Sequence, residues 1–461
     1  MLLDAHDTRP VHFVGIAGAG MSALAELLVR RGVPVQGTDA NAHGAPDLTR
    51  LGVIVSPHNP ALLAGARALV YSSAIPATHP EMMAARELGL PIVRRAEALA
   101  AAVSGGLLIG IAGTHGKTTT TVMTTEALVS AGRDPTGVVG GRVGRWGGNL
   151  RHGGTTYVVE ADEYDRSFLA LCPDVAVVLN VEADHLDIYR DLDDITRAFE
   201  MYVTPARVLV RCADDNGAMA LRLASSREVI SYSATVPGET PSAGAAHARL
   251  MAANLVLDAT GARFEVVFDG ESLGNVQLAV PGVHNVRNAL AALGAGLAVG
   301  CTVPAMAVGL AQFCGVERRF QRLGSASGVM VVDDYAHHPT EVRATIAAAR
   351  HAFPGQRLIV AFQPHLYSRT RDLQAEFAEA LSAADAVFLC DIYGARETPM
   401  PDVTSALIGN RLPEAVRQWS GPRADAVAAL APVVRAGDVV VTMGAGDITR
   451  TGPELLQALA R

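Results

Sequence analysis

The stretch Leu107–Thr121 reads Leu-Leu-Ile-Gly-Ile-Ala-Gly-Thr-His-Gly-Lys-Thr-Thr-Thr-Thr. Its apolar beginning predicts a buried strand, its glycines predict a turn, and the polar run after them predicts the start of a helix. The backbone N–H groups of such a turn, together with the helix dipole, form a cradle for phosphate. Lys117 would bind the β- and γ-phosphates, and the Thr118 hydroxyl would ligate Mg²⁺. The pattern favours nucleotide binding over the alternative, an ordinary strand-to-helix turn with a solvated lysine.

The glycine spacing of this turn is shorter than in the general P-loop pattern. G-x-x-x-x-G-K-[ST] needs a glycine at position 111, where this chain has Ile111. The shorter form Gly113-x-x-Gly116-Lys117-Thr118 still keeps the lysine and the hydroxyl next to the second glycine. We expect the nucleotide phosphates to be bound by the whole loop, which comprises Gly113, Thr114, His115, Gly116, Lys117, Thr118 and Thr119.

The bulk composition limits the class of protein. A chain of 461 residues exceeds one ordinary core, so about two to four domains are expected. The 49% hydrophobic and 18% charged residues exclude a disordered chain, and a net charge of -8 does not favour a nucleic-acid or membrane surface. Five scattered cysteines without a C-x-x-C pair indicate buried thiols in a reducing compartment. With no signal-peptide pattern and no apolar run long enough to span a bilayer, we expect a cytoplasmic protein, either a monomer or a homodimer.

The first hundred residues open with a Rossmann-like pattern. A β-branched run from Val11 to Ile16 leads into a glycine turn, a helix pattern follows from Ala23 to Arg31, and a second strand, Val33 to Gly37, is closed by Asp39. The glycine turn indicates a diphosphate at a helix N-terminus. Asp39 suits a ribose hydroxyl, and a plain turn residue at a strand end is an equal alternative.

Two serines end a later strand of the same region. Ser72 and Ser73 follow the strand Leu69 to Tyr71, and open α/β sheets bind ligands at the carboxyl ends of their strands. These serines would therefore face the same ligand as the glycine turn. Serines that merely complete a turn explain the pattern equally well.

Two acidic clusters follow buried strands in the middle of the chain. Tyr157 to Glu160 runs into Asp162 and Glu163, and Val175 to Leu179 runs into a segment that ends beyond His185. Acids in such positions are costly unless a cation lies between them, and Mg²⁺ bound to phosphates meets that need. We choose Thr118, Glu160 and His185 as metal ligands; helix caps are the alternative. The glycine-rich region from Gly137 to Gly154 between them is predicted to form loops.

The last part of the chain is a further α/β unit. Before it, Asn285 and Asn288 lie three residues apart, so one helix face would present two amides to a base edge, with helix capping as the alternative. From Val329 strands and helices alternate again, with polar strand ends at Asp333–Pro339 and Gln363–His365. The predicted strands are Val329 to Val332, Leu358 to Phe362, Ala386 to Leu389 and Val439 to Thr442, and the predicted helices lie near Glu341 to His351, Leu373 to Ala384 and Ala424 to Val434.

The predicted fold class is α/β with three domains. They are a Rossmann-like N-terminal domain over residues 1–106, a central P-loop ATPase-like domain over residues 107–321, and a C-terminal Rossmann-like domain over residues 322–461.

Taken together, these motifs resemble those of the Mur ligase family, over essentially the whole chain. The resemblance implies an ATP- and Mg²⁺-dependent ligase that joins L-alanine to the lactyl carboxylate of UDP-N-acetylmuramate through an acyl phosphate, in peptidoglycan precursor synthesis. Its carriers are Val14-Gly-Ile-Ala-Gly-Ala-Gly-Met-Ser22, Gly113-Thr-His-Gly-Lys-Thr-Thr119, Glu160-Ala-Asp-Glu-Tyr-Asp165, Asn180-x-Glu-x-Asp-His185, His284-Asn285-x-x-Asn288, Asp333-Asp-Tyr-Ala-His-His-Pro339 and Phe362-Gln-Pro-His365.

The resemblance also implies a role for each domain. The first would hold UDP-N-acetylmuramate through Gly18, Ala19, Gly20, Met21 and Ser22, joined by Asp39, Ser72 and Ser73. The central domain would hold MgATP, and the third would bind the amino acid through Arg369 and His337 and close over the site. Asn285, Asn288, Arg319 and Asp334 would reach ATP, and the catalytic set would be Lys117, Glu160, His185, Arg319 and Asp334.

Two positions depart from patterns within the family. Several members carry a carbamylated lysine near the metal, and Glu200 stands at the comparable position here, where a carboxylate has similar charge and shape. Many members carry an additional arginine where this chain has Leu366, so its amino-acid pocket would hold one cation fewer.

Three other functions are consistent with parts of this pattern. The nearest is a sister ligase that adds a whole tripeptide to the same nucleotide sugar during wall recycling. A Rossmann oxidoreductase that binds NAD at the Gly15 turn is disfavoured by the His-Gly-Lys-Thr-Thr run and the acidic clusters. A nucleotide-binding module without turnover is disfavoured by the complete set of Lys117, Glu160 and His185.

Overall fold

The computed structural model describes residue 4 and residues 6–185, 188–223, 227–236, 238–395 and 397–460. Leu186 and Asp187, which belong to the second acidic cluster of the sequence analysis, lie outside the described residues. The chain divides into two compact units. The first contains Met1–Leu255, Phe264–Gln277 and Val286–Phe313, and the second contains Val256–Arg263, Leu278–Asn285 and Cys314–Arg461.

The strands form three sheets, as the predicted three-domain α/β fold requires. They are β1 (Val11–Val14), β2 (Val35–Thr38), β3 (Ile54–Ser56), β4 (Ala68–Tyr71), β5 (Ile92–Arg94), β6 (Leu107–Ala112), β7 (Pro135–Val143), β8 (Gly148–Arg151), β9 (Thr156–Glu160), β10 (Val175–Val178), β11 (Val208–Cys212), β12 (Glu228–Ser233), β13 (Leu250–Asp258), β14 (Gly261–Phe268), β15 (Glu271–Leu278), β16 (Gln321–Ala326), β17 (Val329–Asp334), β18 (Leu358–Phe362), β19 (Ala386–Cys390), β20 (Arg417–Gly421) and β21 (Val439–Met443).

The α-helices alternate with these strands, and short 3₁₀ turns complete several connections. They are α1 (Ala19–Arg30), α2 (Pro46–Arg50), α3 (Pro80–Glu87), α4 (Arg95–Val103), α5 (Lys117–Ser130), α6 (Leu192–Val203), α7 (Asn216–Ala220), α8 (Val283–Ala298), α9 (Val303–Ala311), α10 (Pro339–Ala352), α11 (Tyr367–Asp372), α12 (Gln374–Leu381), α13 (Ala406–Gly409), α14 (Ala426–Leu430) and α15 (Thr451–Leu459).

The first sheet is parallel and has the strand order β3-β2-β1-β4-β5. β1 pairs with β2 on one side and with β4 on the other, so the strand order reverses between β1 and β4. A sheet of this kind binds ligands in the crevice at that reversal. The glycine turn after β1 and the serines after β4 therefore lie at the carboxyl ends of neighbouring parallel strands. That they bind one ligand stays a prediction.

The second sheet has ten strands in the order β15-β14-β13-β12-β11-β10-β6-β9-β7-β8. β6 is buried along nearly its whole length and pairs in parallel with β9 and β10. Its register sets Ile111 opposite Glu160 and Ala112 opposite Val178. The phosphate loop and both acidic clusters therefore leave the sheet at the same edge.

The glycine-rich region between α5 and β9 was predicted to be loops, and that prediction is wrong. Most of it forms β7 and β8, with β7 between β8 and β9 in the sheet. The glycines allow close approach: a Cβ at Gly137 would lie 2.8 Å from the Thr125 hydroxyl on α5. The helix predicted from Ala23 also begins earlier, because α1 starts directly after Gly18 at Ala19.

The third sheet lies in the second unit and has the order β16-β17-β21-β18-β19-β20. β16 is antiparallel to β17, and the other strands run parallel. Sequence analysis missed β16 and β20 because both are edge strands that have no buried residue and no apolar pattern. The helix predicted over Ala424 to Val434 is shorter, and α14 covers only Ala426–Leu430.

The thiols and the helices add two findings. Cys212, Cys301 and Cys390 are buried, whereas Cys172 and Cys314 are exposed, so the expectation of uniformly buried cysteines is wrong for two of the five. Among the described residues, no helix combines the length and the apolar character that crossing a bilayer requires.

Candidate active site

Two glycines give the phosphate loop between β6 and α5 its shape. Gly113 and Gly116 both have positive φ angles, 147° and 83°. A Cβ at Gly113 would lie 2.9 Å from Leu179 Cβ, and a Cβ at Gly116 would lie 2.8 Å from the Asn288 side-chain oxygen. The loop therefore packs against Leu179, which follows β10, and against α8 so closely that only glycine fits at these positions.

Asn180, just beyond β10, fixes the middle of the loop. Its side-chain oxygen accepts a hydrogen bond from the His115 backbone N–H at 2.7 Å, and its amide donates to the His115 carbonyl at 3.2 Å. The Thr114 hydroxyl in turn accepts from the Glu182 backbone N–H at 2.9 Å. The loop is thus held to the second acidic segment by bonds on both sides.

Lys117 begins α5, and its ammonium group has three acceptors. It donates to the carbonyls of Gly113 and Thr114 at 2.7 and 3.2 Å and to Glu163 Oε1 at 2.9 Å. Burial alone would lower the pKa of Lys117, but the carboxylates of Glu163, Asp162 and Glu160 outweigh burial and raise it. The side chain therefore presents a fixed positive charge to the loop.

Thr118 and Glu160 meet across the edge of the sheet. The Thr118 hydroxyl donates to Glu160 Oε1 at 2.9 Å, and Glu160 Oε2 accepts from the Gly140 backbone N–H at 2.6 Å. Burial raises the pKa of Glu160, although Gly140, Lys117 and Thr118 favour its ionised form. Sequence analysis did not assign Gly140 to this site.

His185 joins the same cluster through Glu163. Its Nε2 lies 3.6 Å from Glu163 Oε1, and its ring packs edge-on against Tyr164 with centroids 5.1 Å apart. Its backbone is in the left-handed region, with a φ of 54°. Its Nδ1 is buried and has no hydrogen-bond partner among the described residues.

These residues fit a divalent cation. Mg²⁺ prefers oxygen ligands, and the Thr118 hydroxyl and the Glu160 carboxylate stand side by side. The unpartnered Nδ1 of His185 is a buried polar atom that a cation or its bound water would satisfy.

The first unit also contains a cavity of about 250 Å³ beside the glycine turn. The Arg142 guanidinium, at the end of β7, pairs with Asp47 at 2.8 Å. Ala19 and Ser22, two of the residues predicted to bind the UDP-sugar, face this cavity. Its walls come from the N-terminal region and the central sheet and comprise Ala17, Ala19, Ser22, Ala23, Glu26, Gly44, Ala45, Pro46, Asp47, Leu48, Gly140, Arg142 and Asn149.

Asp39 and the two serines make backbone turns in the structure. The Asp39 carboxylate accepts hydrogen bonds from the N–H groups of Ala17 and Asn41 at 3.0 and 2.8 Å, so it braces the glycine turn. Ser72 accepts through its carbonyl from the Ile75 N–H at 3.0 Å, and Ser73 is exposed. Their predicted contacts with ribose or phosphate remain predictions.

In the second unit, Asp334 is the buried end of β17. Its two oxygens accept from the Phe320 and Ala336 N–H groups, both at 2.8 Å. Burial raises its pKa to about 6, against the opposing effect of Arg319 and these two hydrogen bonds. Arg319 donates to Glu341 at 3.2 Å and lies over the Tyr335 ring. The structure thus brings the predicted pair Arg319 and Asp334 together.

The two residues predicted to bind the amino acid occupy different surroundings within this unit. Arg369 is buried in the short helix α11, with only 7% of its surface exposed. His337 lies between Glu341 Oε2, 3.2 Å from its Nδ1, and His365, whose ring centroid is 5.8 Å away. Leu366 is buried with a φ of 73°, so an apolar side chain fills the place of the additional arginine.

The two asparagines on α8 fall into different compact units. Asn285 is buried, and its amide donates to the Pro281 carbonyl at 2.7 Å. Asn288 faces Gly116 of the phosphate loop. The Glu200 carboxylate accepts from the Arg222 N–H at 2.9 Å, and among the described residues it contacts none of the predicted metal ligands.

Known proteins resemble this chain along its whole length. Three family models match it, described as Mur ligase family, catalytic domain (residues 10–106), Mur ligase middle domain (residues 111–296) and Mur ligase, glutamate ligase domain (residues 318–446). A UDP-N-acetylmuramate–L-alanine ligase of Kineococcus radiotolerans is 47% identical over 98% of this chain and 96% of its own. This chain belongs to the Mur ligase family.

Further relatives and solved structures support this family membership. The UDP-N-acetylmuramate–L-alanine ligase of Renibacterium salmoninarum is 43% identical over 100% of this chain and 98% of its own. The crystal structure of the UDP-N-acetylmuramate–alanine ligase of Thermotoga maritima matches with a TM-score of 0.81 and 26% identity, over 97% and 98% of the two chains. A murein peptide ligase of Psychrobacter arcticus, at 24% identity and a TM-score of 0.71, shares the fold.

Three residues of this Mur ligase site were not assigned from its sequence: Gly140, Glu163 and Asn180. Glu163 and Asn180 stand inside quoted motifs, but nothing in the sequence gives the direction of their side chains. Gly140 lies in the region that the sequence predicts to form loops. Recognising that region as a strand beside β9 would have placed its N–H next to Glu160.

Proposed function

We propose that this Mur ligase uses ATP to join L-alanine to the lactyl carboxylate of UDP-N-acetylmuramate, in peptidoglycan precursor synthesis. One observation carries the proposal: Lys117, Thr118 and Glu160 form one cluster at the strand ends that also hold the glycine loop. Relatives that are 43% and 47% identical bear the name of this activity. The substrates are inferred from those names.

The first step is phosphoryl transfer. A lactyl carboxylate oxygen attacks the γ-phosphorus of ATP, the bond to the bridging oxygen breaks, and ADP leaves behind an acyl phosphate. Such a step needs position and charge neutralisation more than covalent help from the protein. The loop N–H groups and Lys117 would hold the phosphates, because the loop is braced by Asn180 and the lysine is charged.

Thr118, Glu160 and His185 would hold Mg²⁺. When bound there, the ion would neutralise phosphate charge and polarise the phosphoryl group. The Gly140 N–H fixes the Glu160 carboxylate, and Glu163 fixes the His185 ring. Both ligands are thus oriented before any ion arrives.

In the second step, the neutral amine of L-alanine attacks the acyl carbon, the carbon–oxygen bond to the phosphate breaks, and inorganic phosphate leaves with the proton that the amine gives up. We assign the carboxylate of L-alanine to Arg369 with His337, because a guanidinium holds both carboxylate oxygens. Arg319 and Asp334, with Asn285 and Asn288, are assigned to ATP. These residue roles are proposals, as are the domain limits 1–106, 107–321 and 322–461.

The UDP-sugar is assigned to the N-terminal domain. The first turn of α1 contains Ala19, Gly20, Met21 and Ser22, and Gly18 is the residue just before it. The N–H groups of this turn suit a diphosphate. The cavity beside them offers Arg142 and Asn149 from the central sheet. Its volume of about 250 Å³ suits part of the ligand, such as the sugar.

The test is phosphate release by the purified protein with ATP, Mg²⁺ and UDP-N-acetylmuramate, with and without L-alanine. We expect release that depends on all components, together with a product whose mass corresponds to the alanyl adduct. Parallel reactions with glycine, L-serine and the cell-wall tripeptide measure acceptor preference. Turnover with the tripeptide and none with L-alanine would assign the chain to wall recycling instead.

A further inference from the structure

Glu163 is a buried charged residue beside the phosphate loop. The proposed mechanism uses it only to orient His185. Only 2% of its surface is exposed. Its Oε1 and Oε2 lie 2.9 and 2.8 Å from Lys117 Nζ, and Oε1 lies 3.6 Å from His185 Nε2. One carboxylate therefore contacts both the lysine assigned to phosphate and the histidine assigned to the metal.

The position of Glu163 is fixed by its own backbone. Its carbonyl accepts from the Tyr189 hydroxyl at 2.6 Å and from the Arg166 N–H at 3.0 Å. The Arg166 guanidinium in turn lies over the Tyr189 ring, 4.7 Å from its centroid. These bonds hold the backbone from which the Glu163 carboxylate reaches Lys117.

The surrounding charges are unbalanced toward the negative. Glu160, Asp162 and Glu163 all act electrostatically on Lys117, and Arg95 acts on Asp162. An ammonium group has three hydrogens, and all three are already directed to Gly113, Thr114 and Glu163. For free ATP entering this loop, the positive charge of Lys117 is already offset by its ion pair with Glu163. Free ATP would also meet buried carboxylates at close range.

We infer that Glu163 makes nucleotide binding depend on Mg²⁺, because its carboxylate neutralises Lys117 and repels phosphate that arrives without a metal ion. The inference rests on the proposed assignment of this loop to ATP. MgATP carries less negative charge and brings a cation to the carboxylates, so it enters where free ATP is repelled. Glu163 is thus a selectivity residue for the metal-bound nucleotide.

The experiment measures ATP binding by isothermal titration calorimetry, in EDTA and in Mg²⁺, for the parent and for Glu163→Gln. Glutamine keeps the size of the side chain and removes its charge. In EDTA, we expect the Kd of ATP to fall by about tenfold or more in E163Q, because the repulsion is gone. In Mg²⁺, we expect the Kd to change much less. The ratio of the Kd in EDTA to the Kd in Mg²⁺ should therefore be smaller for E163Q than for the parent.

Two further variants serve as controls. Glu163→Asp keeps the charge and should keep the weak binding in EDTA. Glu126→Gln removes a carboxylate from the same helix as Lys117, where it pairs with Trp146 and Arg145, and should leave the Kd ratio unchanged. An equal decrease of this Kd ratio in E126Q would show a general charge effect and overturn the inference.

The inference also fails if E163Q binds ATP in EDTA no more tightly than the parent does. Thermal unfolding of each variant reports whether it is folded. If E163Q is unfolded, E163D still tests the role of the charge, because it keeps the carboxylate. In folded E163D, ATP binding that no longer depends on Mg²⁺ contradicts the inference. Phosphate release by the parent with L-alanine is measured separately, so the proposed function stands or falls on a different result.

Discussion

The Thr118 hydroxyl lies 2.9 Å from Glu160 Oε1, although 42 residues separate the two in the chain. The parallel pairing of β6 with β9 brings them together, since the register sets Ile111 opposite Glu160. A hydroxyl and a carboxylate at this distance offer two oxygen ligands on one side of the phosphate loop.

Removing the Thr118 hydroxyl is expected to weaken Mg²⁺ activation. Thr118→Val keeps the shape of the side chain and should raise the Mg²⁺ concentration for half-maximal rate about tenfold or more. Thr118→Ser retains the hydroxyl and is the matched control. A magnesium titration of T118V that overlays that of the parent would exclude Thr118 as a ligand.

Glu160→Gln and His185→Ala should also raise the Mg²⁺ requirement. Their combined effect should be smaller than the sum of the single effects, because both side chains serve one ion. The measurement is a double-mutant cycle on the Mg²⁺ activation constant. Strict additivity would mean that the two residues act at separate places.

Lys117→Ala is expected to reduce kcat by at least about 100-fold, equivalent to ~3 kcal/mol of transition-state stabilisation. It should also destabilise the fold, because Glu163 would remain buried and without its cation. The double variant K117A/E163Q should recover thermal stability but not activity. Near-normal turnover in folded K117A would refute the assignment.

Arg369→Ala is expected to raise KM for L-alanine about tenfold or more, while KM for ATP stays nearly constant. Arg371→Ala is the matched control, because Arg371 is exposed and pairs with its neighbour Asp372 at 2.6 Å. Initial rates against each substrate decide the matter. A rise in the ATP constant alone would place Arg369 in the nucleotide site.

Asp334 is expected to produce an acid limb in the pH profile. Burial raises its pKa to about 6, so the carboxylate is ionised above that pH and protonated below it. If the ionised form acts on ATP, kcat/KM should fall toward tenfold per pH unit below about pH 6. Residual activity of Asp334→Asn should lack this limb, and a parent profile that stays flat down to pH 5 would contradict the assignment.

Glu81 should contribute to the stability of the N-terminal sheet. It is fully buried, accepts from the Thr38 hydroxyl and the Asn59 N–H, and lies 3.4 Å from His12. Burial opposes its ionisation, but these partners lower its pKa from 4.5 to about 2. Its contribution is therefore present above pH 4.5 and is lost as the pH falls toward 2.

The corresponding variant is Glu81→Gln, which should lower the free energy of unfolding by about 2 kcal/mol at neutral pH. The difference from the parent should shrink between pH 4.5 and 2, because there the Glu81 carboxylate of the unfolded parent takes up a proton while that of the folded parent stays ionised. Urea denaturation at pH 7 and at pH 3 measures both values. An equal difference at the two pH values would show that the charge of Glu81 is not responsible.

The sequence by itself determined the fold class and the phosphate loop. Apolar runs of four to six residues, such as β10 and β6, each followed by a turn with polar residues, specify parallel strands and polar strand ends because these signals are local. The same local character explains the failures. β20 and β16 lack an apolar pattern, and β7 is rich in glycine, so their place in a sheet depends on neighbours that are distant in the chain.

Only the tertiary structure decided which polar side chains meet. The local sequence does not indicate which way the side chains of Glu160, Asp162 and Glu163 point. In the structure, the register of β6 and β9 directs Glu160 to Thr118 and Gly140. Glu163 instead contacts Lys117 and His185. Likewise, the two oxygens of Asp39 accept hydrogen bonds from the backbone N–H groups of Ala17, in the glycine turn after β1, and of Asn41, in the turn at Asp39 itself. Direction and partner are set by long-range packing, because a side chain's burial and its hydrogen bonds come from segments that the local sequence does not contain.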